Sequence, residues 1–204
     1  FGIAAAYSNL GLMTKLLKFN NTFTKAPESF GTNFNFRIKN KNGGILKYYG
    51  SFDTNRLGLQ DESLEPETDF DNTSLKGKNT FHNISYRQKL GRYLVNLGSS
   101  YTFNNNLIDL SNSYQGSEFN LNSIDITGNY FNAKGTLERK INKISAIRGG
   151  IEFNQTRENT DVAISPVPYS FHDRITSVFA ETDIGFSNHF SAKVGLRSEY
   201  STAV

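Results

Sequence analysis

Cysteine and tryptophan are absent from this 204-residue chain, and methionine (1), histidine (3) and proline (4) are scarce. Without cysteine there are no disulfides, no thiolate-ligated metals and no thiol nucleophile. The histidines, His82, His172 and His189, lie far apart without metal-ligand spacing, and are read as structural. No apolar run approaches the roughly 18 residues that a membrane-spanning helix needs. That excludes a helical membrane protein and leaves a strand-built one open. A Ser–His–Asp order, a glycine-rich phosphate loop and a nucleophile elbow are also missing. The chain is therefore expected to be no enzyme and to need no cofactor. Its net charge is a mild +3 with the basic residues scattered, so nucleic acid is not an expected partner.

Strand formers are abundant. The 17 phenylalanines and 10 tyrosines, with Val, Ile and Thr, favour extended over helical structure. Mean hydropathy is −0.48, low for a packed core and ordinary for a barrel with a polar inner wall. Four tight turns punctuate the chain, at Lys41-Asn42-Gly43, Gly91-Arg92, Asn142-Lys143-Ile144 and Ser187-Asn188-His189. Between them fall Asn/Ser/Asp/Gly-rich segments of roughly 16 to 28 residues, near 9–29, 53–79, 106–121 and 157–173, which read as long loops. Short turns at one end and long loops at the other is the wiring of an outer-membrane β-barrel. About nine antiparallel strands are expected, near 2–8, 30–39, 44–52, 80–90, 93–104, 122–139, 145–156, 174–186 and 190–201. An odd count, with strand patterns running close to Phe1 and Val204, points to part of a larger barrel in a longer polypeptide. Residues 1–204 would then be a single barrel domain.

Alternation sorts the strand faces. Phe34, Phe36 and Ile38 oppose Asn35, Arg37 and Lys39; Tyr93, Val95, Leu97, Tyr101 and Phe103 oppose Asn96, Gly98 and Thr102. Val178, Ala180, Thr182, Ile184 and Phe186 oppose Glu181 and Asp183, and Phe190, Ala192, Val194 and Leu196 oppose Lys193, Arg197 and Glu199. In a bilayer the apolar face meets lipid and the charged face the lumen. In a soluble β-sandwich it would pack into a core, so alternation alone leaves both open. Parity of the apolar positions sets two registers. A loop at 187–189 pairs Phe186 with Phe190 and Ile184 with Ala192, placing Asp183 opposite Lys193. A loop at 142–144 places Glu138 opposite Arg148 and Lys134 opposite Glu152. Three unlike-charge matches thus emerge from registers chosen on apolar parity alone, and are read as structural ion pairs of the lumen. The apolar phase changes between Ile124/Ile126 and Phe131, which predicts a bulge near Tyr130.

Two further groups are candidates. Asp61, Glu62, Glu65, Glu67, Asp69 and Asp71 form an acidic stretch with oxygen ligands but without the glycine and closing glutamate of an EF-hand loop; it reads as a solvated loop, and no metal site is assigned. Arg37, Lys39 and Lys47 flank the first tight turn on the inward face. They are either ordinary lumen cations or a basic patch for the acidic surface of a plug domain.

The stretches Lys25-Ala-Pro-Glu-Ser-Phe-Gly31, Phe34-Asn-Phe-Arg37, Gly44-Ile-Leu-Lys-Tyr-Tyr-Gly50, Val178-Phe-Ala-Glu181 and Lys193-Val-Gly-Leu-Arg-Ser-Glu-Tyr200 resemble the barrel of TonB-dependent outer-membrane receptors of the Bacteroidota. The resemblance implies an antiparallel transmembrane β-barrel of 22 strands in the bacterial outer membrane, around an N-terminal plug. It implies import of an iron chelate, cobamide or glycan, with outer-membrane lipid, the plug and TonB as partners. The plug and the TonB-contacting segment are not in this sequence. A passive porin or channel, and a soluble β-sandwich binding module, are the alternatives; a hydrolytic outer-membrane enzyme is a distant third.

Overall fold

The computed structural model describes residues 1–16, 22–63, 69–115, 117–142, 144–165, 167–186 and 190–203. Nine strands form one antiparallel sheet in chain order: β1 Gly2–Asn9, β2 Thr22–Lys39, β3 Ile45–Glu62, β4 Phe70–Leu90, β5 Tyr93–Tyr114, β6 Ser117–Lys140, β7 Ala146–Val162, β8 Tyr169–Gly185 and β9 Ser191–Ser201. A short helix, α1 Gly11–Leu16, follows β1. Each strand pairs with its chain neighbours, and β1 and β9 are not paired to each other, so the sheet is open. Such a meander puts successive connections at alternate ends, as expected.

The expected long loops, however, are largely strand. The β3–β4 connection shrinks to 63–69, β7–β8 to 163–168, and β5–β6 to 115–116, as tight as the Gly91-Arg92 turn at the other end. Asn- and Ser-rich sequence is a poor strand former in isolation, but with a ladder on both sides its side chains find cross-strand partners. Gln60 donates to Asn72 at 3.0 Å, and Ser123 donates to Asp109 at 2.8 Å. At the opposite end Gly43 and Gly91 take positive φ of 79° and 59°, the left-handed conformation that suits glycine in tight turns. The turn at 187–189 lies outside the described residues, but its flanks close as expected, Phe186 N–H donating to the Phe190 carbonyl at 3.0 Å.

The expected bulge near Tyr130 is absent. Residues 124–140 pair with 146–162 without a break, and the register shift on this strand falls instead opposite Leu110/Ser111, between Asn120 and Asn122. What changes is the polarity of the faces. Toward the tight turns one face carries the row Ile38–Leu46–Tyr86–Leu97–Gly135–Ile151–Val178. The other carries Arg37, Lys134, Arg148, Glu152, Glu181 and Arg197. Toward the far end the assignment inverts. The face of Arg148 becomes aliphatic, in the row Leu57–Leu75–Ile108–Ile124–Val162, and the face of Ile151 becomes charged, in the row Arg56–Lys76–Leu107–Asp125–Asp161. The ladder is continuous, so it is the side-chain pattern and not the register that changes phase.

No hydrophobic residue is buried among the described residues, whereas Ile151 is 63% exposed, Val178 57% and Leu196 83%. The accessible surface is 14397 Å², against about 9,600 Å² for a compact folded monomer of this mass. A soluble sandwich is thus overturned as a self-contained domain, for it would bury one face of the sheet. The 24 residues of β6 extend about 80 Å at ~3.3 Å per residue, or about 60 Å along a barrel axis at the usual tilt, twice the ~30 Å hydrocarbon layer.

Directly opposed residues place their Cα atoms about 4.5–5.5 Å apart, within the span that a disulfide bridges. Cysteines at Val95 and Leu137, which are ladder partners, are therefore expected to oxidise to an intramolecular disulfide. Cysteines at Val95 and Thr136 are not, because position 136 belongs to the other face. Gel mobility after mild oxidation measures both, and the reverse outcome would show a slipped register.

Candidate functional site

The lower half of β6–β9 presents a charged wall on the face of Arg148. Period-two alternation puts Lys134, Glu138, Arg148, Glu152, Glu181, Lys193, Arg197 and Glu199 on this one side, and register brings them into contact. Arg148 is the hub. Its Nη2 donates to Glu138 at 2.6 Å and its Nη1 to Glu181 at 2.5 Å, so one guanidinium fork ties β6, β7 and β8. Glu181 also accepts from Lys193 on β9 at 3.0 Å. A second chain runs from Lys134 to Glu152 at 3.2 Å, on to Arg197 at 3.3 Å, and from Arg197 to Glu199. Ser177, fully buried beneath this pair, donates to Glu199 at 3.1 Å and accepts from Arg197 at 3.1 Å. In these contacts four carboxylates meet four cations, so each of the four cations is met by a carboxylate of the chain itself.

Two of the charge matches read from sequence, Glu138 with Arg148 and Lys134 with Glu152, are ion pairs. Asp183 and Lys193 are ladder partners, yet the ammonium of Lys193 closes on Glu181, one diagonal step away. The reason is electrostatic: Glu181 already holds Arg148, so Lys193 there completes an alternating chain of charges.

Phe179 breaks the polar alternation and was not singled out by sequence reasoning. It lies opposite Gly150 on this same charged face, and Lys134 Nζ sits 5.1 Å from its ring centroid in a cation–π contact. A Cβ at Gly150 would come within 2.5 Å of the Gly135 carbonyl oxygen and 2.7 Å of the Phe179 ring, so the ring needs glycine there. The only sequence signal was a pair of glycines, Gly149-Gly150, inside a strand. Above this floor lies a cavity of about 610 Å³ lined by Ser85, Asn96, Thr136, Arg148, Phe179 and Arg197 among others. Most of its lining, from β4 to β9, belongs to this charged face, the one expected to be inner.

The β2–β3 part of the same face is different in kind. Arg37 stands directly opposite Lys47, and Lys39 lies in the row Lys39–Ile45–Arg87. All are exposed, and none enters an ion pair among the described residues. Of the acidic stretch, Glu65 and Glu67 lie outside the described residues; Asp69 accepts the Gln115 N–H at 2.7 Å, and no metal-like group of ligands forms among the described residues. His82 shares a 2.7 Å hydrogen bond with Tyr48 on the opposite, apolar face, and His189 is outside the described residues.

No protein-family model matches the chain, and a search of curated proteins finds no match either. Among solved structures it is similar to the β-domain of the Bordetella autotransporter BrkA, at 9% identity and a TM-score of 0.43, over 98% of this chain and 80% of that one.

Gly150→Ala is expected to destabilise the sheet by about 1–3 kcal/mol through overpacking against Phe179 and the Gly135 carbonyl. Gly98→Ala, whose Cβ would meet nothing nearer than 4.0 Å, is expected to be neutral. Urea unfolding in detergent, followed by the gel shift of the folded band, checks the pair.

Proposed function

We propose that this chain is part of the wall of an outer-membrane β-barrel that imports a bulky nutrient in partnership with a plug domain and TonB. One observation carries the barrel reading: a nine-strand antiparallel meander that buries no hydrophobic residue among those described and, near the tight turns, sets an apolar face against a charged one. In lipid that apolar face is favourably solvated and every ladder hydrogen bond is internal. Aromatics frame it: Phe52, Phe103, Phe131 and Phe153 near the polarity switch, and Tyr93, Phe186 and Phe190 near the tight turns, Phe186 and Phe190 with ring centroids 5.4 Å apart. The inverted upper half then stands in water outside the hydrocarbon. Import by a TonB-dependent receptor, of an iron chelate, cobamide or glycan, rests on the likeness of the five quoted stretches. The uncompensated Arg37, Lys39 and Lys47 suit an acidic plug surface. Catalysis and cofactors have no part in the proposal.

Nine strands leave the outer edges of β1 and β9 unpaired, and lipid cannot satisfy such an edge, at several kcal/mol for each N–H or C=O. The 204 residues alone are expected to assemble edge to edge and to give no saturable uptake of siderophore, cobamide or oligosaccharide into liposomes. Specific, saturable flux from the chain alone would overturn the importer reading in favour of a self-contained channel. Nitroxides report on the bilayer separately. Labels at Ile147, Ile151 and Val178 are expected to collide with oxygen, and labels at Lys76 and Arg157, on the same face, with a water-soluble relaxer. Uniform water exposure at all five would sink the membrane assignment.

A further inference from the structure

We infer that the tight-turn end of the inner face is a binding site for an oligovalent oxyanion. Beyond Arg37, Lys39 and Lys47, β4 adds Arg87 and Lys89 to this face, the β4–β5 turn adds Arg92, and the end of β6 adds Lys140. A cavity of about 650 Å³ opens among Arg87, Lys89, Arg92 and Lys140, walled by Gly91, Tyr93, Leu94 and Ile141. One carboxylate, Glu138, lines it, and that group is already held by Arg148 through two hydrogen bonds of 3.0 and 2.6 Å. None of the four cations forms an ion pair or a side-chain hydrogen bond among the described residues, although six Glu-centred contacts saturate the wall on β6–β9 of the same face.

The contrast within one face is the argument. Like charges held together raise one another's energy, and Arg37 directly opposite Lys47 is such a pair in the adjoining row. A face that meets Lys134, Arg148, Lys193 and Arg197 with its own carboxylates leaves these four to a counter-charge from outside. Two guanidinium forks and two ammonium groups converging on one concavity match a ligand with several phosphate or carboxylate oxygens. The apolar wall of Tyr93, Leu94 and Ile141 lowers the local dielectric and strengthens that attraction. The site stands on this geometry whether or not the protein is an importer.

Inorganic triphosphate titrated into the detergent-solubilised chain at low salt, followed by calorimetry, tests the site. Saturable binding is expected, at least tenfold weaker in Arg87→Gln/Arg92→Gln, and falling steeply with added salt. Lys76→Gln/Lys78→Gln removes the same charge from the other face and is expected to leave affinity within twofold. Arg87→Lys/Arg92→Lys keeps the charge without the forks and is expected to fall between. The Val95/Leu137 disulfide, introduced into each variant, confirms that the sheet has formed before binding is read. Displacement by a short-chain phosphatidylglycerol, but not by its phosphatidylcholine counterpart, would assign the oxyanion to a lipid headgroup, and no displacement would assign it to a free anion. Equal losses in the two Gln variants, or no saturable binding to the unmodified chain, would overturn the site.

Discussion

The backbone ladder is the constraint on which everything else in this structure depends. With no buried hydrophobic residue among those described, there is no core to organise the chain, and nine strands are held by eight consecutive sets of antiparallel hydrogen bonds. Each bond contributes only about 1 kcal/mol in water, where the unfolded chain bonds to solvent instead. In hydrocarbon the same bond is obligatory, because the alternative is an unsatisfied polar group. A sheet of this kind therefore draws its stability from the medium around it, and its continuity past Tyr130, where the side-chain pattern breaks, follows from that. Interrupting the ladder would cost more than placing Ile124 and Ile126 on a face that is polar lower down.

The two faces exchange polarity along one set of strands. Near the tight turns, Ile147, Ile151, Val178 and Leu196 point one way while Arg148, Glu181 and Arg197 point the other. Higher up, Arg56, Lys76 and Asp125 take the first side and Leu57, Leu75, Ile108 and Ile124 the second. The switch comes where strands of up to 24 residues have run the length that a bilayer needs. In the proposed barrel, the sheet beyond it stands in water on the side that lower down suits lipid.

Charge is handled in two ways on the lower inner face. Between β6 and β9 it is neutralised in place, by an alternating chain in which Arg148 joins three strands. These pairs are partly solvated, so their value lies in fixing register more than in stability. From β2 to β4 and at the neighbouring turn, cations collect without carboxylates. That asymmetry places the region that needs an external partner at the tight-turn end.

Strand number, meander order, the tight turns and the registers of the last two hairpins were all legible in the sequence, because a period of two and the parity of apolar residues are local properties. Glu138 with Arg148 and Lys134 with Glu152 followed from that parity alone. The long loops did not, since Asn- and Ser-rich segments become strand only when a neighbouring strand supplies partners, as Gln60 and Asn72 do for each other. Nor did the choice of Glu181 over Asp183 by Lys193, which depends on Arg148 two strands away, or the seat of Phe179 over Gly150. Those were decided by the tertiary arrangement, because each depends on which side chains the sheet sets side by side across three or four strands, a relation that no single stretch of sequence contains.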